Sequence, residues 1–312
     1  SFRRYFRGGG LVWVDANPKT EKNHEFVRNA VALHEVGLKA PEVRGVDYDL
    51  GLLAVTDLGD TQLIGCLDES NVLAWYGKAI ALLPRLGAVE LELEPFDAAF
   101  MARENAIFPE WLLGQHLQLT LSAEEEQLLA ETFACLTANN LAQPQGVMHR
   151  DFHSRNLMVC GGQTPGESEL AIIDFQDMVI GPLSYDLVSL LKDCYVRWPD
   201  EVIEQGMRQG FETLRQAELL GGLDYAAFRR AADLTGMQRH LKAAGIFTRL
   251  WHRDGKSGYL KDIPRTLDYV VDVCRTHGES YPVLVRFGAW LEQVVLPGLT
   301  RVAEARADGA AS

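Results

Sequence analysis

The chain lacks the sequence features that mark several large classes of protein. No window reaches the roughly 18 consecutive apolar residues of a membrane-spanning helix, and the first residues have no apolar core of the signal-peptide kind. No run of lysine and arginine overrides the formal net charge of −13, which argues against a nucleic-acid-binding surface. No internal repeat or low-complexity tract occurs. We expect a cytoplasmic, globular protein, and nothing in the sequence implies a protein partner.

Cysteine is sparse and is poorly placed for metal or disulfide chemistry. The five cysteines are odd in number and widely spaced, and no Cys-x-x-Cys pair suggests a zinc or redox site. They are most simply interpreted as reduced, mostly buried thiols. The hydrophobic content of 47% over 312 residues is ample for the core of one large domain or of two lobes.

The first sixty residues have the pattern of a small sheet with one helix. The run Gly8-Gly9-Gly10 separates two β-prone segments, Phe2–Arg7 and Leu11–Val14, and predicts a hairpin because glycine adopts positive φ at little steric cost. Apolar residues at three- and four-residue spacing predict a helix from about Lys22 to Val36. Two more β-prone runs complete the predicted sheet: Val43–Tyr48 and Leu52–Thr56.

After residue 60 the pattern changes to long amphipathic helices. One exception is a predicted second hairpin, in which Asn156–Val159 and Leu170–Ile173 flank a polar loop. The sequence therefore predicts an α+β fold with a small β-rich part, residues 1–60, and a larger helical part, residues 61–312. The predicted helices are Asn71–Leu86, Ala123–Asn139, Tyr185–Asp193, Asp200–Leu220 and Tyr225–Thr248. Two further helices are expected after them, at the end of the chain.

The segment His149–Asn156 fits the pattern H-R-D-x-x-x-x-N of a phosphotransferase catalytic loop. In that pattern the aspartate accepts the proton of the acceptor hydroxyl and the asparagine holds magnesium. Asp151 is thus the predicted catalytic base and Asn156 a predicted metal ligand. Either residue alone would more often be a turn former or a helix cap. The combined pattern favours a catalytic site.

A second motif, Ile172–Asp177, resembles the D-F-G element of kinases and supplies a second metal ligand, Asp174. Carboxylate and amide oxygens suit Mg²⁺, which usually takes only one or two carboxylates from a protein. The 23 positions that separate Asp151 from Asp174 are the length that a loop, a strand, a turn and a strand need to return beside the loop. ATP and Mg²⁺ are the expected cofactors.

Four residues near these motifs have supporting roles or more than one interpretation. His149 is expected to pack against the loop and hold it in place. Asp186 either caps the helix that follows it or braces the catalytic loop through hydrogen bonds to the backbone. We favour such a structural role over a direct role in the chemistry. Gln176 and Asp177 are either turn residues or contacts to the acceptor, and the sequence leaves these two readings about equal.

The two motifs, with Asp186 downstream, resemble those of the aminoglycoside phosphotransferase/choline kinase family. The resemblance covers nearly the whole chain. The resemblance implies a two-lobed, protein-kinase-like fold. It is closest to the bacterial anomeric N-acetylmuramate/N-acetylglucosamine kinases, which implies transfer of the γ-phosphate of ATP to the C1 hydroxyl of an amino sugar, giving the α-1-phosphate, in cell-wall recycling. Four segments carry this narrower resemblance: Ser1–Arg7, His149–Met158, Arg239–Phe247 and Tyr259–Pro264.

The resemblance also implies where the nucleotide lies, between the lobes with its adenine against a short stretch of backbone. A kinase-like strand normally carries a lysine for the phosphates, paired with a glutamate on a helix, whereas Leu11–Ala16 contains Asp15 and no lysine. Arg4 is our first choice to replace it, ahead of Arg3 and Arg7, although these arginines could simply be solvated. The predicted adenine-contacting residues are Val55, Thr56, Asp57 and Leu58. Glu21 and Glu25 are candidate helix partners.

Candidates for the acceptor site come from the helical part. The lactyl carboxylate of a muramate needs a cationic partner, for which Arg239 or His240 is suitable because arginine can bind a carboxylate with two parallel hydrogen bonds. Trp111 either stacks on a sugar face or belongs to the core. Glu104 either binds a sugar hydroxyl or extends a solvated helix face.

Two other functions remain open at this stage. An aminoglycoside or another amine alcohol would suit the acidic chain, although the basic and aromatic region Arg239–Lys261 favours a neutral or anionic sugar. A catalytically silent nucleotide-binding protein is the second alternative, because the strand lysine is missing. A protein acceptor is disfavoured because only 12 positions separate Asp174 from Asp186, too few for an ordinary activation loop.

Overall fold

A computed structural model describes residues 3–310, without the side chains of residues 307–310. Phe2, the first residue of the first predicted strand, lies outside this range. The described chain forms two compact units that interleave along the sequence, so the predicted lobes 1–60 and 61–312 stay a prediction. The first unit contains the residues up to Pro95, Pro144–Leu191 and Trp198–Tyr225, and the second contains Phe96–Gln143, Lys192–Arg197 and the residues from Ala226 onward.

A four-stranded antiparallel sheet opens the first unit. The predicted glycine turn is confirmed, since Gly9 and Gly10 adopt φ of 65° and 75° between the first two strands. In the register of this hairpin Arg4 is opposite Asp15. The four strands are β1 (Arg4–Gly8), β2 (Leu11–Asp15), β3 (Val43–Asp47) and β4 (Leu52–Thr56). Their order in the sheet is β1-β2-β4-β3.

Helix α1 (Asn23–Glu35) lies between β2 and β3 and contacts the predicted metal-binding motif. Its buried positions recur at helical spacing, as predicted. The amide of Asn29 donates a hydrogen bond of 2.9 Å to the backbone oxygen of Phe175. The ring of Phe26 stacks on the ring of Phe175, with 4.9 Å between centroids. Helix α1 therefore holds the residue that follows Asp174.

Two short antiparallel pairs of strands frame the two sequence motifs. The predicted hairpin is confirmed as β6 (Leu157–Gly161) and β7 (Ser168–Ile172). The second pair, β5 (Gln145–Met148) with β8 (Val179–Pro182), was not predicted, because each strand has only four residues and its partner is distant in sequence. The catalytic loop runs between β5 and β6, and Asp174 lies between β7 and β8.

The remaining α-helices in the described part of the first unit are α2 (Val72–Ile80), α3 (Leu83–Gly87), α6 (Ser184–Leu191) and α7 (Asp200–Gln216). The prediction of one continuous helix over Asn71–Leu86 was wrong. Pro84 lies in the first turn of α3. A proline inside a helix removes a backbone hydrogen bond and clashes with the preceding turn, whereas in a first turn it is tolerated. The helix therefore ends and restarts before Pro84.

The second unit is helical in its described residues. Helix α5 (Ala123–Leu141) begins with a capping box, in which Ser122 and Glu125 exchange side-chain and backbone hydrogen bonds. Two π-helical segments occur, Phe108–His116 and Leu291–Val295. Three α-helices end the chain where two were predicted. The helices are α4 (Ala98–Asn105), α5 (Ala123–Leu141), α8 (Tyr225–Asp254), α9 (Ile263–His277), α10 (Pro282–Trp290) and α11 (Leu296–Ala310).

The helices of the second unit enclose one apolar core, to which Leu113, Leu241 and Phe287 contribute fully buried side chains. Within residues 3–310, no helix is both long enough and apolar enough to cross a membrane.

Candidate active site

A buried carboxylate braces the catalytic loop through hydrogen bonds to the loop backbone. Asp186, in the first turn of α6, accepts hydrogen bonds from the backbone N–H groups of His149 at 2.6 Å and Arg150 at 3.0 Å. Arg150 has φ of 76°, a conformation that non-glycine residues adopt rarely and that persists where the surroundings impose it. The two hydrogen bonds impose the conformation directly before Asp151. Asp186 thus makes the backbone contacts that bracing requires.

Burial has an electrostatic consequence for Asp186. Removal from water disfavours the charged form and raises the pKa of Asp186 to about 6, although His149 and the two backbone hydrogen bonds act in the opposite direction. The brace therefore titrates closer to neutral pH than an ordinary aspartate does.

His149 joins the two motifs. Its buried ring lies with Nε2 at 2.9 Å from the backbone oxygen of Ile173, the residue before Asp174. Its Nδ1 accepts a hydrogen bond of 3.2 Å from the backbone N–H of Asp151. Since Nδ1 accepts, Nε2 carries the hydrogen and donates to Ile173. The imidazole thereby connects the backbone of the predicted base to the residue that precedes the predicted metal ligand.

The amide of Asn156 is oriented by the same loop. Its nitrogen donates to the backbone oxygen of Asp151 at 3.0 Å and lies 3.5 Å from Nε2 of His153. The backbone oxygen of Asn156 accepts from the N–H of Ile173 at 3.0 Å. Because the amide nitrogen is engaged with the loop, the amide oxygen is the group that Asn156 can offer to a cation.

Asp174 also has left-handed backbone geometry, with φ of 64°. One oxygen of its carboxylate accepts a hydrogen bond of 2.7 Å from the amide of Gln176. Asp174 and Asn156 line the same cavity. A carboxylate residue and an amide residue that line the same cavity are a donor set that fits a hard, oxygen-preferring cation such as Mg²⁺.

The cavity has a volume of about 350 Å³ and lies within the first unit, in the size range of small-molecule sites. Apolar side chains form much of its wall, among them Val14, Leu53 and Met158. The predicted adenine-contacting residues all line it: Val55, Thr56, Asp57 and Leu58. Arg3, Asn156 and Asp174 supply polar and charged groups. An apolar slot with such groups suits a nucleobase joined to phosphates.

The structure does not bring Arg4 to this cavity. Its guanidinium is exposed and pairs with Asp15 on the neighbouring strand. Side chains alternate between the two faces along an extended chain, and it is Arg3 and Tyr5 that line the cavity. The alternation puts Arg3 and Arg4 on opposite faces, and the structure shows that the face of Arg3 lines the cavity.

Gln176 and Asp177 both contact protein groups of the first unit. The carboxylate of Asp177 lies 2.7 Å from Nζ of Lys22, and its backbone oxygen accepts from the guanidinium of Arg150 at 3.2 Å. Gln176 lies between Arg3 and Asp174, with Arg3 donating to it at 3.4 Å. Contacts of Gln176 or Asp177 to an acceptor stay a prediction.

Glu104 belongs to the second unit and is buried there. Its carboxylate lies 3.0 Å from Nζ of Lys242 and accepts from the amide of Gln238 at 3.4 Å. The reading that Glu104 extends a solvated helix face was wrong, because the side chain is paired inside the core. Trp111 is half-buried in the π-helical segment of the same unit.

Arg239 and His240 are also buried in the second unit. Arg239 donates to the sulfur of Cys194 at 3.5 Å. His240 has Nε2 at 2.8 Å from the backbone oxygen of Lys192, and its ring stacks on Tyr269. Burial, reinforced by Arg239, lowers the pKa of His240 to about 3. A neutral, stacked imidazole is a poor partner for a carboxylate, so the structure gives the acceptor role predicted for His240 no support.

Residues 1–220 match the phosphotransferase enzyme family, and the chain belongs to that family, in agreement with the kinase-like loop and metal motif. An N-acetylmuramate/N-acetylglucosamine kinase of Pseudomonas putida is 36% identical over 279 residues, 88% of this chain and 80% of the relative. The enzyme of the same name from Neisseria meningitidis is 38% identical over 296 residues, 90% of this chain and 85% of the relative.

The fold is shared with solved phosphotransferase structures. The GDP complex of an aminoglycoside 2'-phosphotransferase-IIIa superposes with a TM-score of 0.60 at 14% identity, covering 89% of this chain and 90% of that one. The predicted family, the predicted kinase-like fold and the prediction of a phosphotransferase are confirmed.

Proposed function

We propose that the protein transfers the γ-phosphate of ATP to the anomeric C1 hydroxyl of N-acetylmuramate or N-acetylglucosamine, giving the α-1-phosphate for cell-wall recycling in the cytoplasm. The names of the relatives support this acceptor class. The observation that carries the proposal is the pair of contacts by which His149 joins the backbone of Asp151, the predicted base, to the backbone of Ile173, the residue before the predicted metal ligand.

The reaction needs one proton acceptor and an electrostatic partner for the transferred phosphate. The C1 oxygen forms a bond to the γ-phosphorus, the bond from that phosphorus to the β–γ bridging oxygen breaks, and ADP leaves with the electron pair. Asp151 takes the hydroxyl proton. An anomeric hydroxyl is more acidic than other sugar hydroxyls, so a modest base such as a carboxylate is sufficient.

The cavity of the first unit supports a place for ATP. The adenine would lie in the apolar slot against Val55 to Leu58, with the phosphates towards Arg3, Asn156 and Asp174. The oxygens of Asn156 and Asp174 would hold Mg²⁺. When bound, Mg²⁺ neutralises charge on the phosphate oxygens.

The rival acceptor is an aminoglycoside or another amine alcohol, which the net charge of −13 favours. ADP release is measured with N-acetylmuramate, N-acetylglucosamine and a panel of aminoglycosides. We expect turnover with the amino sugars. Turnover with the antibiotics alone would refute the proposed acceptor, and nucleotide binding without any turnover would support the catalytically silent alternative.

The site of phosphorylation is tested on the product. Phosphorus NMR of the product from labelled sugar and ATP should show coupling to the anomeric proton. A phosphate at C6 would contradict the anomeric assignment and leave the sugar kinase assignment in place.

A further inference from the structure

The first unit lacks the strand lysine that kinases use to bind nucleotide phosphates. Strand β2 reads Leu-Val-Trp-Val-Asp, and its last residue, Asp15, pairs with Arg4. The reaction nevertheless spreads negative charge over the phosphate oxygens and needs a fixed cation near them. Among the residues that line the cavity in the described chain, Arg3 is the one arginine or lysine.

Arg3 is held in place from several sides. Its Nε lies 2.9 Å from a carboxylate oxygen of Glu21, and the two side chains are only 7% and 11% exposed. The guanidinium lies 5.4 Å from the centroid of the Phe26 ring, a distance at which the cation and the ring attract each other. A guanidinium fixed in this way is pre-organised for phosphate oxygens.

Arg3 is also connected to the predicted metal ligand. It donates to the amide oxygen of Gln176 at 3.4 Å, and the amide nitrogen of Gln176 donates to Asp174 at 2.7 Å. Gln176 therefore orients the carboxylate of Asp174 and the guanidinium of Arg3 relative to each other. In the D-F-G pattern this position is glycine, which has no side chain to make such a link.

The neighbouring cations have other partners and greater exposure. Lys22 pairs with Asp177, and its side chain is 56% exposed. Arg7 pairs with Asp57 and Asp60 at the start of the loop that follows β4, and its side chain is 49% exposed. Neither lines the cavity.

We propose that Arg3, paired with Glu21, replaces the missing strand lysine and binds the nucleotide phosphates. Gln176 fixes the position of Arg3 relative to Asp174. This inference rests on the proposed function in that its ligand is a nucleoside di- or triphosphate. It makes Arg3 a phosphate-binding residue and Glu21 and Gln176 positioning residues.

The test separates binding of the phosphates from binding of the base. Affinities for ADP with Mg²⁺ and for adenosine are measured by calorimetry on the full chain and on Arg3→Ala, Arg3→Lys and Glu21→Gln. A hydrogen bond to a charged group contributes about 1.5–3 kcal/mol, so Arg3→Ala should weaken ADP roughly 10- to 100-fold and leave adenosine unchanged. Arg3→Lys should recover part of the affinity, and Glu21→Gln should give a smaller loss.

A matched control is Arg44→Ala. Arg44 is an exposed arginine on β3 that pairs with Glu42 and does not line the cavity. The affinity of Arg44→Ala for ADP and the midpoint of its thermal unfolding should equal those of the wild type. In turnover with the amino sugar, Arg3→Ala should raise KM for ATP more than KM for the sugar.

Three outcomes would overturn the inference. Arg3→Ala could bind ADP as tightly as the wild type, or it could lose ADP and adenosine equally, which a purely structural role predicts. Arg4→Ala could lose ADP affinity in place of Arg3→Ala, which would make Arg4 the phosphate-binding residue. If the wild type and the variants bind ADP as expected but no amino sugar is phosphorylated, the proposed acceptor fails and the role of Arg3 stands.

Discussion

Two residues of the site, Arg150 and Asp174, have backbone angles in the left-handed region, and neither is glycine. Such conformations cost on the order of 1–3 kcal/mol each and are kept where the surrounding contacts impose them. Asp186 imposes one of them through two hydrogen bonds to the loop. The contacts around Asp174 come from Gln176 and from the attachment of Phe175 to α1.

The first prediction concerns the base. Asp151→Asn keeps the size of the side chain and removes the proton acceptor. General base catalysis contributes roughly 10²- to 10⁴-fold, so kcat should fall by about that factor while the affinity for ADP with Mg²⁺ stays within about twofold. Steady-state turnover and calorimetry measure the two quantities. Unchanged kcat would show that Asp151 is not the base.

The second prediction concerns the brace. Because the pKa of Asp186 is raised to about 6 in the folded state, against about 3.9 in an unfolded chain, the folded state binds more protons between these pH values. The contribution of Asp186 to stability is therefore most favourable below about pH 4 and declines as pH rises to about 6. Asp186→Asn has no carboxyl group at this position, so this contribution to the pH dependence of stability is absent in the variant.

The measurement is urea unfolding of wild type and Asp186→Asn at pH 4 and pH 7. The free energy of unfolding of the wild type, taken relative to the variant, should fall between these pH values by on the order of 2–3 kcal/mol. The variant should also lose activity. Each carboxylate oxygen of Asp186 accepts from one backbone N–H group, whereas the amide nitrogen of asparagine is a donor and cannot accept. A difference in stability that is independent of pH would contradict the prediction.

Within the second unit, a buried charge cluster links α8 and α9 to Lys192, which lies outside the helices. Asp233 on α8 accepts from Lys192 at 2.7 Å and lies 3.0 Å from the ring of His277 on α9. Arg229, one turn earlier on α8, is 3.1 Å away. Burial alone would raise the pKa of Asp233, but His277, Lys192 and Arg229 outweigh it and hold that pKa below its usual range. The carboxylate thus compensates buried positive charge.

The third prediction follows from this cluster. Asp233→Ala would leave Lys192, whose side chain is 8% exposed, without its carboxylate, and breaking a buried pair in this way costs about 3–5 kcal/mol. The matched control is Asp272→Ala, which removes a partner of Arg197 at a site where both side chains are about a third or more exposed. That pair should contribute no more than about 1 kcal/mol. Equal losses in denaturant unfolding would refute the distinction.

The described chain as a whole consists of two compact units, and the candidate nucleotide cavity is lined by residues of the first unit alone. A ligand that binds only the folded form stabilises that form by mass action. Nucleotide binding should therefore be visible in the thermal unfolding of the protein.

The fourth prediction is that ADP with Mg²⁺, at one hundred times its dissociation constant, raises the free energy of unfolding by about 2.7 kcal/mol. Differential scanning calorimetry should show a higher transition midpoint. If two transitions are resolved, we expect the shift in the transition of the first unit. Asp174→Asn should reduce it, because the variant loses a carboxylate from the metal site. The absence of any shift for the wild type would argue against the cavity as the nucleotide site.

Much of the site could be predicted because its residues are close together along the chain. The spacing of His149, Asp151 and Asn156 and the hairpin that leads to Asp174 are local patterns, and the structure shows the hairpin and the contacts that join the two motifs. The family, and the kinase-like fold that goes with it, could be predicted from the same motifs.

Other features depend on contacts between distant segments, and the sequence could not decide them. The strands β5 and β8 stabilise each other across more than thirty positions. The choice of Arg3 over Arg4 depends on which face of the sheet covers the cavity. Glu104 is buried because Lys242, far away in the sequence, supplies the opposite charge.

The sequence by itself determined the family and predicted the chemistry of the catalytic loop, because both depend on residue types and their spacing within short segments. Only the tertiary structure decided which charged side chains face the cavity and which are paired inside a core. The direction of a side chain and its burial depend on how separate segments pack, and the pattern along a single segment does not contain that information.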